Sequence, residues 1–266
     1  MKISFIGGGN MADAILSAIL NKNLSQPSDV IASDIKEERR QYLYKKYGVK
    51  VTSDNTQAIR NTDVVVLAIK PQSLVEVMPV IKGQLKPAQL VLSIIAGVRI
   101  QTLRSGLGYS RIVRAMPNTP AQIGDGMTAW TVTPEATEQQ KGWARAILGA
   151  LGKEIYFEDE KYLDMATAVS GSGPAYVFFF AEAMAAAAVQ IGLTPGVAEQ
   201  MVLQTLVGSV HLLQKSDKTP AELRRMVTSP GGTTAEAIAQ FEKGDFSGLV
   251  ARAVSAAHER ARQLGS

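Results

Sequence analysis

Ile3-Ser4-Phe5-Ile6-Gly7-Gly8-Gly9-Asn10-Met11-Ala12 begins with a short apolar run, passes through three glycines and enters a helical pattern continued by Ala14, Ile15, Ala18 and Ile19. The glycines fit G-x-G-x-x-A directly after a strand. There Gly7 permits the tight turn, Gly9 lets backbone approach a pyrophosphate, and Ala12 permits close helix–strand packing. Amides at the helix start and the helix dipole then favour phosphate. Such a loop can also be a plain structural turn. Its place between strand and helix, with a second strand ending near Asp34, is the context that dinucleotide binding requires.

The same alternation continues outward. Apolar runs at 30–32, 64–69 (VVVLAI), 90–95 (LVLSII) and 112–113 are separated by helical stretches such as the polar 36–47. Nearly continuous apolar strands with helices between them predict an α/β, doubly wound parallel sheet covered on both faces. After 152–157 the character changes, and from Glu160 onward no convincing strand remains. Helices are expected near 161–168, 173–191, 195–214, 219–227, 234–243 and 245–263, which divides the chain into a dinucleotide-binding domain, 1–159, and an all-helical domain, 160–266. Thr194-Pro195 and Thr219-Pro220 read as helix starts, with Thr219 and Glu222 at capping-box spacing. The segment 175–189 carries one charge, Glu182. It falls short of the roughly 20 residues a membrane span needs, so a buried helix with Phe178-Phe179-Phe180 as core is expected.

Composition narrows the chemistry. Among 266 residues there is no cysteine, and the histidines are His211 and His258, which excludes thiolate chemistry and disfavours a histidine-rich metal centre. Residues 161–266 carry nine Lys and Arg against nine Asp and Glu, so the whole excess of +4 lies in the first 160. That excess lacks the dense basic stripe of a nucleic-acid surface; a small anionic ligand or ordinary solvated charge accounts for it. No secretory signal precedes the first strand, and a cytoplasmic protein with neither nucleic-acid nor membrane partners is expected.

The second strand ends in SDIKEERR, residues 33–40. Asp34 could accept from a ribose 2′-hydroxyl, whereas Ser33, Lys36, Arg39 and Arg40 could hold a 2′-phosphate, or simply decorate a solvated helix. Ligands of doubly wound sheets bind beyond the carboxyl ends of the strands. Ala68, Ile69, Lys70, Pro71, Ala96 and Gly97 fall at such ends, as does Met116-Pro117-Asn118. In the helical half, Ser229-Pro230-Gly231-Gly232-Thr233-Thr234 runs from a glycine loop into a helix. Its unpaired amides suit a carboxylate, and its alternative reading is a Gly-rich turn capped by Thr233 or Thr234.

Six segments together carry a resemblance: FIGGGNMA (5–12), AIKPQ (68–72), IIAGV (94–98), RAMPNTPA (114–121), SGSGPAY (170–176) and the stretch 220–241. On these the chain resembles the Δ1-pyrroline-5-carboxylate reductase family along essentially its whole length. The resemblance implies a Rossmann domain followed by a helical dimerisation domain, and reduction of a cyclic imine to L-proline with NADPH, or alternatively NADH. It implies a homodimer, which in this family is sometimes stacked into a larger ring. By matching motif it assigns dinucleotide contacts to Gly8, Gly9, Asn10, Met11, Asn55, Ala68, Lys70, Pro71, Ala96 and Gly97. Glu160, Gly232, Thr233 and Thr234 match positions near the substrate, with Thr234 the catalytic candidate. The chain departs from the family in having Asp34 where relatives often have Ser, and Met226 where some have Asn.

A protonated cyclic imine accepts hydride readily, so orientation can supply much of the rate and no conspicuous acid–base pair is required. The 232–234 backbone is expected to hold the carboxylate and the Thr234 hydroxyl the ring nitrogen. Glu160 could favour a charged nitrogen, or be a surface carboxylate. The β-hydroxyacid dehydrogenases share the domain plan but place a catalytic lysine on the first long helix of the second domain, and 173–191 contains no lysine. A general imine reductase is nearer in chemistry, and a nucleotide sensor would not need the second glycine loop.

Overall fold

Three apolar strands are buried along their whole length: β1 (Ile3–Ile6), β4 (Val64–Leu67) and β5 (Leu90–Ser93). Such strands need cover on both faces, and the computed structural model, which describes residues 1–265, supplies it. β2 (Val30–Ser33), β3 (Lys50–Thr52), β6 (Ile112–Met116), β7 (Gly126–Val132) and β8 (Gly152–Tyr156) complete one sheet in the order 3-2-1-4-5-6-7-8. One cluster beneath it gathers Phe5, Ile15, Leu16, Ile19 and Trp130 with α1 (Asn10–Asn21), α2 (Glu37–Tyr47) and α6 (Glu138–Gly149). The other gathers Ile6, Leu67, Leu74, Ile81 and Leu103 with α3 (Asn55–Ile59), α4 (Leu74–Ile81) and α5 (Ile100–Leu107).

The expected sheet is therefore present, with one correction. β7 runs antiparallel to β6 and β8 pairs parallel with β7, so the sheet is parallel-dominated rather than wholly parallel. A parallel return needs a crossover of about a dozen residues or more, usually a helix. Residues 117–125 offer only a single 3-10 segment, Thr119–Ile123, so the chain turns straight back.

The chain divides into two compact units, Met1–Ser172 with Ala257–Ser266, and Gly173–Ala256. This differs from the 159/160 change in composition. Helix α7 (Lys161–Ala166) and the π-helical turn Thr167–Gly171 belong with the sheet, because Leu163 and Asp164 are buried there and Arg114 of β6 binds Asp164.

The second unit holds α8 (Gly173–Gln190), α9 (Pro195–Lys215), α10 (Pro220–Met226), α11 (Thr233–Lys243) and most of α12 (Phe246–Leu264). Thr219 and Glu222 form the expected capping box, whereas the Thr194 side chain caps nothing. Here the expectation of a buried helix fails. Among its described hydrophobic residues only Ala198 and Val202 are buried, and Phe178 and Phe179 are 65% and 72% exposed. α8 is apolar on every side, so its one large neighbour, α9, covers a single stripe. By length and composition alone, the helical run Lys161–Gln190 could cross a membrane.

Gly7 has φ +93, and a Cβ on it would lie 2.6 Å from the Ala68 carbonyl oxygen; a Cβ on Gly9 would meet nothing within 4 Å. Gly7→Ala is expected to lower stability by about 2 kcal/mol or more, and Gly9→Ala by under about 0.5 kcal/mol, as read from urea unfolding midpoints.

Candidate functional site

The strand order reverses at β1, which lies between β2 and β4. A crevice opens beyond the carboxyl ends of such a pair, and the glycine loop sits over it. The Gly7 amide donates to the Ser33 carbonyl at 2.8 Å, tying the loop to the end of β2. Gly8 is buried, and a Cβ there would press on Leu43 Cδ1 at 2.8 Å. Gly9 and Asn10 are exposed, Met11 is half-buried, and Gly9 caps α1 without any side-chain bond. The first amides of α1 thus face open space, the arrangement that receives phosphate. Behind the loop α2 is tied to α1 through Asp13. Its carboxylate accepts from Lys46 at 3.1 Å and from the Tyr47 hydroxyl at 2.7 Å. Hydrogen bonds to Tyr42, then Tyr47, hold the Lys46 ammonium well above the usual lysine range, while burial holds Tyr47 above the usual phenol range.

The end of β2 resolves several candidates. Asp34 Oδ2 accepts from the Gly8 amide and Oδ1 from the Lys36 amide, each at 2.8 Å. Its carboxylate is therefore a brace for the glycine loop. Arg39 Nε donates to the Gly8 carbonyl, and Arg40 Nη1 to the carbonyls of Asp34 and Ile35. Both guanidiniums are thereby gathered at the rim of the loop. Ser33 is buried, and its hydroxyl donates to Asn55 Oδ1 at 2.6 Å. Ser33, one candidate for a 2′-phosphate, and Asn55, a cofactor contact implied by the resemblance, are thus bonded to each other. Asn55 begins α3, whose cap is Asp54, accepting from the amides of Thr56 and Gln57.

Along the same sheet edge, Ala68 and Ile69 follow β4 half-buried, while Lys70 and Pro71 are exposed. After β5, Ala96 is exposed and Gly97 adopts φ +74. A Cβ on Gly97 would lie 2.6 Å from Leu264 Cβ, so the end of α12 covers this loop. No sequence pattern singled out Leu264, because packing across the chain leaves no local signal. Glu160 stands at the start of α7. Its Oε1 accepts from Arg114 Nη1 and from the Ile100 amide, both at 2.8 Å. Arg114, in sequence no more than one residue of RAMPNTPA, is 4% exposed and also binds Asp164 Oδ1 at 3.0 Å.

In the helical unit, Gly231 has φ +69 and the Gly232 amide donates to the Ser229 carbonyl at 3.0 Å, folding the loop back on itself. Gly232 then caps α11 without a side-chain bond, so neither Thr233 nor Thr234 acts as cap. Thr233 is exposed, Thr234 half-buried and Met226 exposed beside the same loop. Among the described residues there is no group of three or more His, Cys, Asp or Glu side chains that could hold a metal ion.

Comparison with known proteins agrees with this anatomy. Residues 160–264 match the family model described as pyrroline-5-carboxylate reductase dimerisation, and residues 2–97 match one described as NADP oxidoreductase, coenzyme F420-dependent. A pyrroline-5-carboxylate reductase of Synechocystis is 40% identical over 265 residues, covering 100% of this chain and 98% of the relative. One from Pseudomonas aeruginosa is 38% identical, covering 99% and 96%. Among solved structures, a Plasmodium falciparum pyrroline carboxylate reductase with NADP bound superposes with a TM-score of 0.91 at 32% identity, covering 100% of this chain and 98% of that one. With a glycine loop at the switch point of the sheet, a second glycine loop opening α11, and this similarity along its full length, the chain belongs to the pyrroline-5-carboxylate reductase family.

Proposed function

We propose that the chain reduces Δ1-pyrroline-5-carboxylate to L-proline, the last step of proline synthesis, by hydride transfer from NADPH. The observation that carries this reading is a pair of helix starts. α1 and α11 each begin at a glycine that no side chain caps. Two anionic groups suit them, a pyrophosphate at the first and a carboxylate at the second. The open space above Gly9, where a Cβ would meet nothing, fits a dinucleotide at the first.

The dinucleotide supplies the hydride; the protein's part is to hold and orient. Gly7, Gly8, Gly9, Asn10 and Met11 are assigned to the pyrophosphate, and Ala68, Ile69, Lys70, Pro71, Ala96 and Gly97 to the nicotinamide side. Arg39 and Arg40, with Lys36, are the cations available to a 2′-phosphate, and guanidinium geometry suits that group. Asp34 accepts from the Gly8 and Lys36 amides and so braces the loop, while the neighbouring Lys36, Arg39 and Arg40 cations favour NADPH over NADH. The NADP-bound Plasmodium relative supports the same choice.

For the substrate, the amides of Thr233 and Thr234 take the carboxylate and the Thr234 hydroxyl takes the ring nitrogen. No hydrogen bond from that hydroxyl to another described residue competes. Glu160 engages Arg114 and Ile100 through Oε1, and its negative charge is what we assign to favouring a protonated ring nitrogen.

A second copy of this chain is the partner we propose for the exposed faces of α8 and α9. The match of 160–264 to a dimerisation model supports it, and Glu182 and the run of alanines make α8 a poor occupant of lipid. Stacking of dimers into a ring is the further assembly we expect from the family resemblance.

An assay following reduced cofactor with pyrroline-5-carboxylate tests the activity. Turnover is expected with NADPH at higher kcat/KM than with NADH, and oxidation of neither would refute it. Thr234→Ala is expected to lower kcat/KM about tenfold to a hundredfold, the loss of one hydrogen bond to a charged group, with the NADPH dissociation constant unchanged. Phe179→Asp is expected to leave a monomer near 28.5 kDa by light scattering, where the parent chain has at least twice that mass. A parent chain that runs as a monomer would remove the shared interface.

A further inference from the structure

We propose that Arg114 is a positioning residue for the reaction: through Glu160 it pins the first amide of α5 and so fixes the loop that carries Ala96 and Gly97. This rests on the reading of that loop as the nicotinamide side of the site.

Arg114 lies mid-strand in β6, paired in register with Ser93 of β5. A guanidinium buried at that depth is costly unless it is paired and hydrogen-bonded. Both conditions are met within the same unit. Nη1 donates to Glu160 Oε1 at 2.8 Å and Nη2 to Asp164 Oδ1 at 3.0 Å. The two carboxylates then reach onward to consecutive residues. Glu160 Oε1 accepts the Ile100 amide at 2.8 Å, and Asp164 Oδ2 lies 3.6 Å from Arg99 Nη2.

Ile100 is the first residue of α5, and its amide is one of those a helix cannot satisfy internally. The local cap position, Arg99, offers no side-chain acceptor. The cap comes instead from Glu160, sixty residues away in sequence. Upstream the loop is anchored by the Ile94 amide, which donates to the Leu67 carbonyl at 3.1 Å, and by Ser93 Oγ, which accepts the Ile95 amide. Between these fixed ends stands the Ala96-Gly97 turn, with Leu264 packed on the Gly97 Cα.

Two cations and two carboxylates make the cluster neutral. Apolar side chains of similar volume could fill such a site at no loss of stability. What apolar side chains could not supply is an acceptor aimed at Ile100. Without Arg114 the Glu160 carboxylate has no partner to hold it against that amide, and the loop gains alternative conformations. The dinucleotide would still bind through the glycine loop, but its reacting end would be less well placed.

Hydrogen–deuterium exchange on the full-length protein reads the pin without reference to activity. In Arg114→Met and Glu160→Leu, exchange across residues 96–101 is expected to rise about tenfold or more, the loss of one hydrogen bond to a charged group, with β1 and β4 unchanged. Glu160→Gln keeps the acceptor and is expected to stay within about twofold of the parent. Should Arg114→Met not fold, Glu160→Leu carries the same test, because Arg114 retains Asp164. In Arg114→Met the single-turnover hydride step is expected to slow about tenfold while the NADPH dissociation constant moves less than about twofold. Unchanged exchange at 96–101, a rise spread evenly over the sheet, or Glu160→Gln behaving like Glu160→Leu would each overturn the proposal. If the parent chain does not reduce pyrroline-5-carboxylate, the functional reading fails, and the exchange result still decides the pin.

Discussion

The close approach of Gly7 to the Ala68 carbonyl is the contact on which the nucleotide unit depends. β1 and β4 lie side by side and their connections leave in opposite directions, so the chain after β1 must turn hard across the end of β4. Gly7 turns it with φ +93 and no side chain, and its amide is secured by the Ser33 carbonyl. Only then does α1 start at Gly9 with its first amides open, and only then can Asp34 reach the Gly8 amide. Arg39, in turn, follows the Gly8 carbonyl. The open start of α1 and the cations beside it are thus consequences of one backbone geometry.

The helix starts are finished in different ways. α3, α6 and α10 satisfy their first amides with their own residues, Asp54, the Thr137–Gln140 box and the Thr219–Glu222 box. α5 borrows Glu160 from another element. α1 and α11 begin at glycines that no side chain caps, and the Thr194 side chain leaves α9 uncapped as well. A side-chain cap is worth about 1 kcal/mol at a helix start, a cost that an anion accepting from the open amides of α1 or α11 would offset.

Much of this was legible in the sequence because its causes are local. Apolar runs such as 64–67 form central strands wherever they are covered on both faces, and a glycine triplet between strand and helix marks the tight turn made at Gly7. The Thr219–Glu222 box could be read from spacing alone. What escaped reading depends on distant residues. The reversal of β7 follows from a crossover that is too short, visible only once β6 and β7 are both placed. An apolar helix must be covered, so its sequence predicts Phe178 and Phe179 as core, but the described residues leave both exposed. The Ser33 hydroxyl donates to Asn55, a bond between residues on different elements that no local pattern shows. The links among Arg114, Glu160 and Ile100 are likewise invisible until α7 and α5 are brought against β6.

The central claim is that a hydride passes directly from the nicotinamide to the imine carbon of pyrroline-5-carboxylate on this protein. It is tested most directly by running the reaction with NADPH deuterated stereospecifically at C4 of the nicotinamide and examining the product by NMR and mass spectrometry. The account predicts that, for one of the two C4 epimers, each proline formed carries one deuterium, located at C5 of the ring. Proline free of deuterium with both epimers, or no proline formed at all, would contradict it.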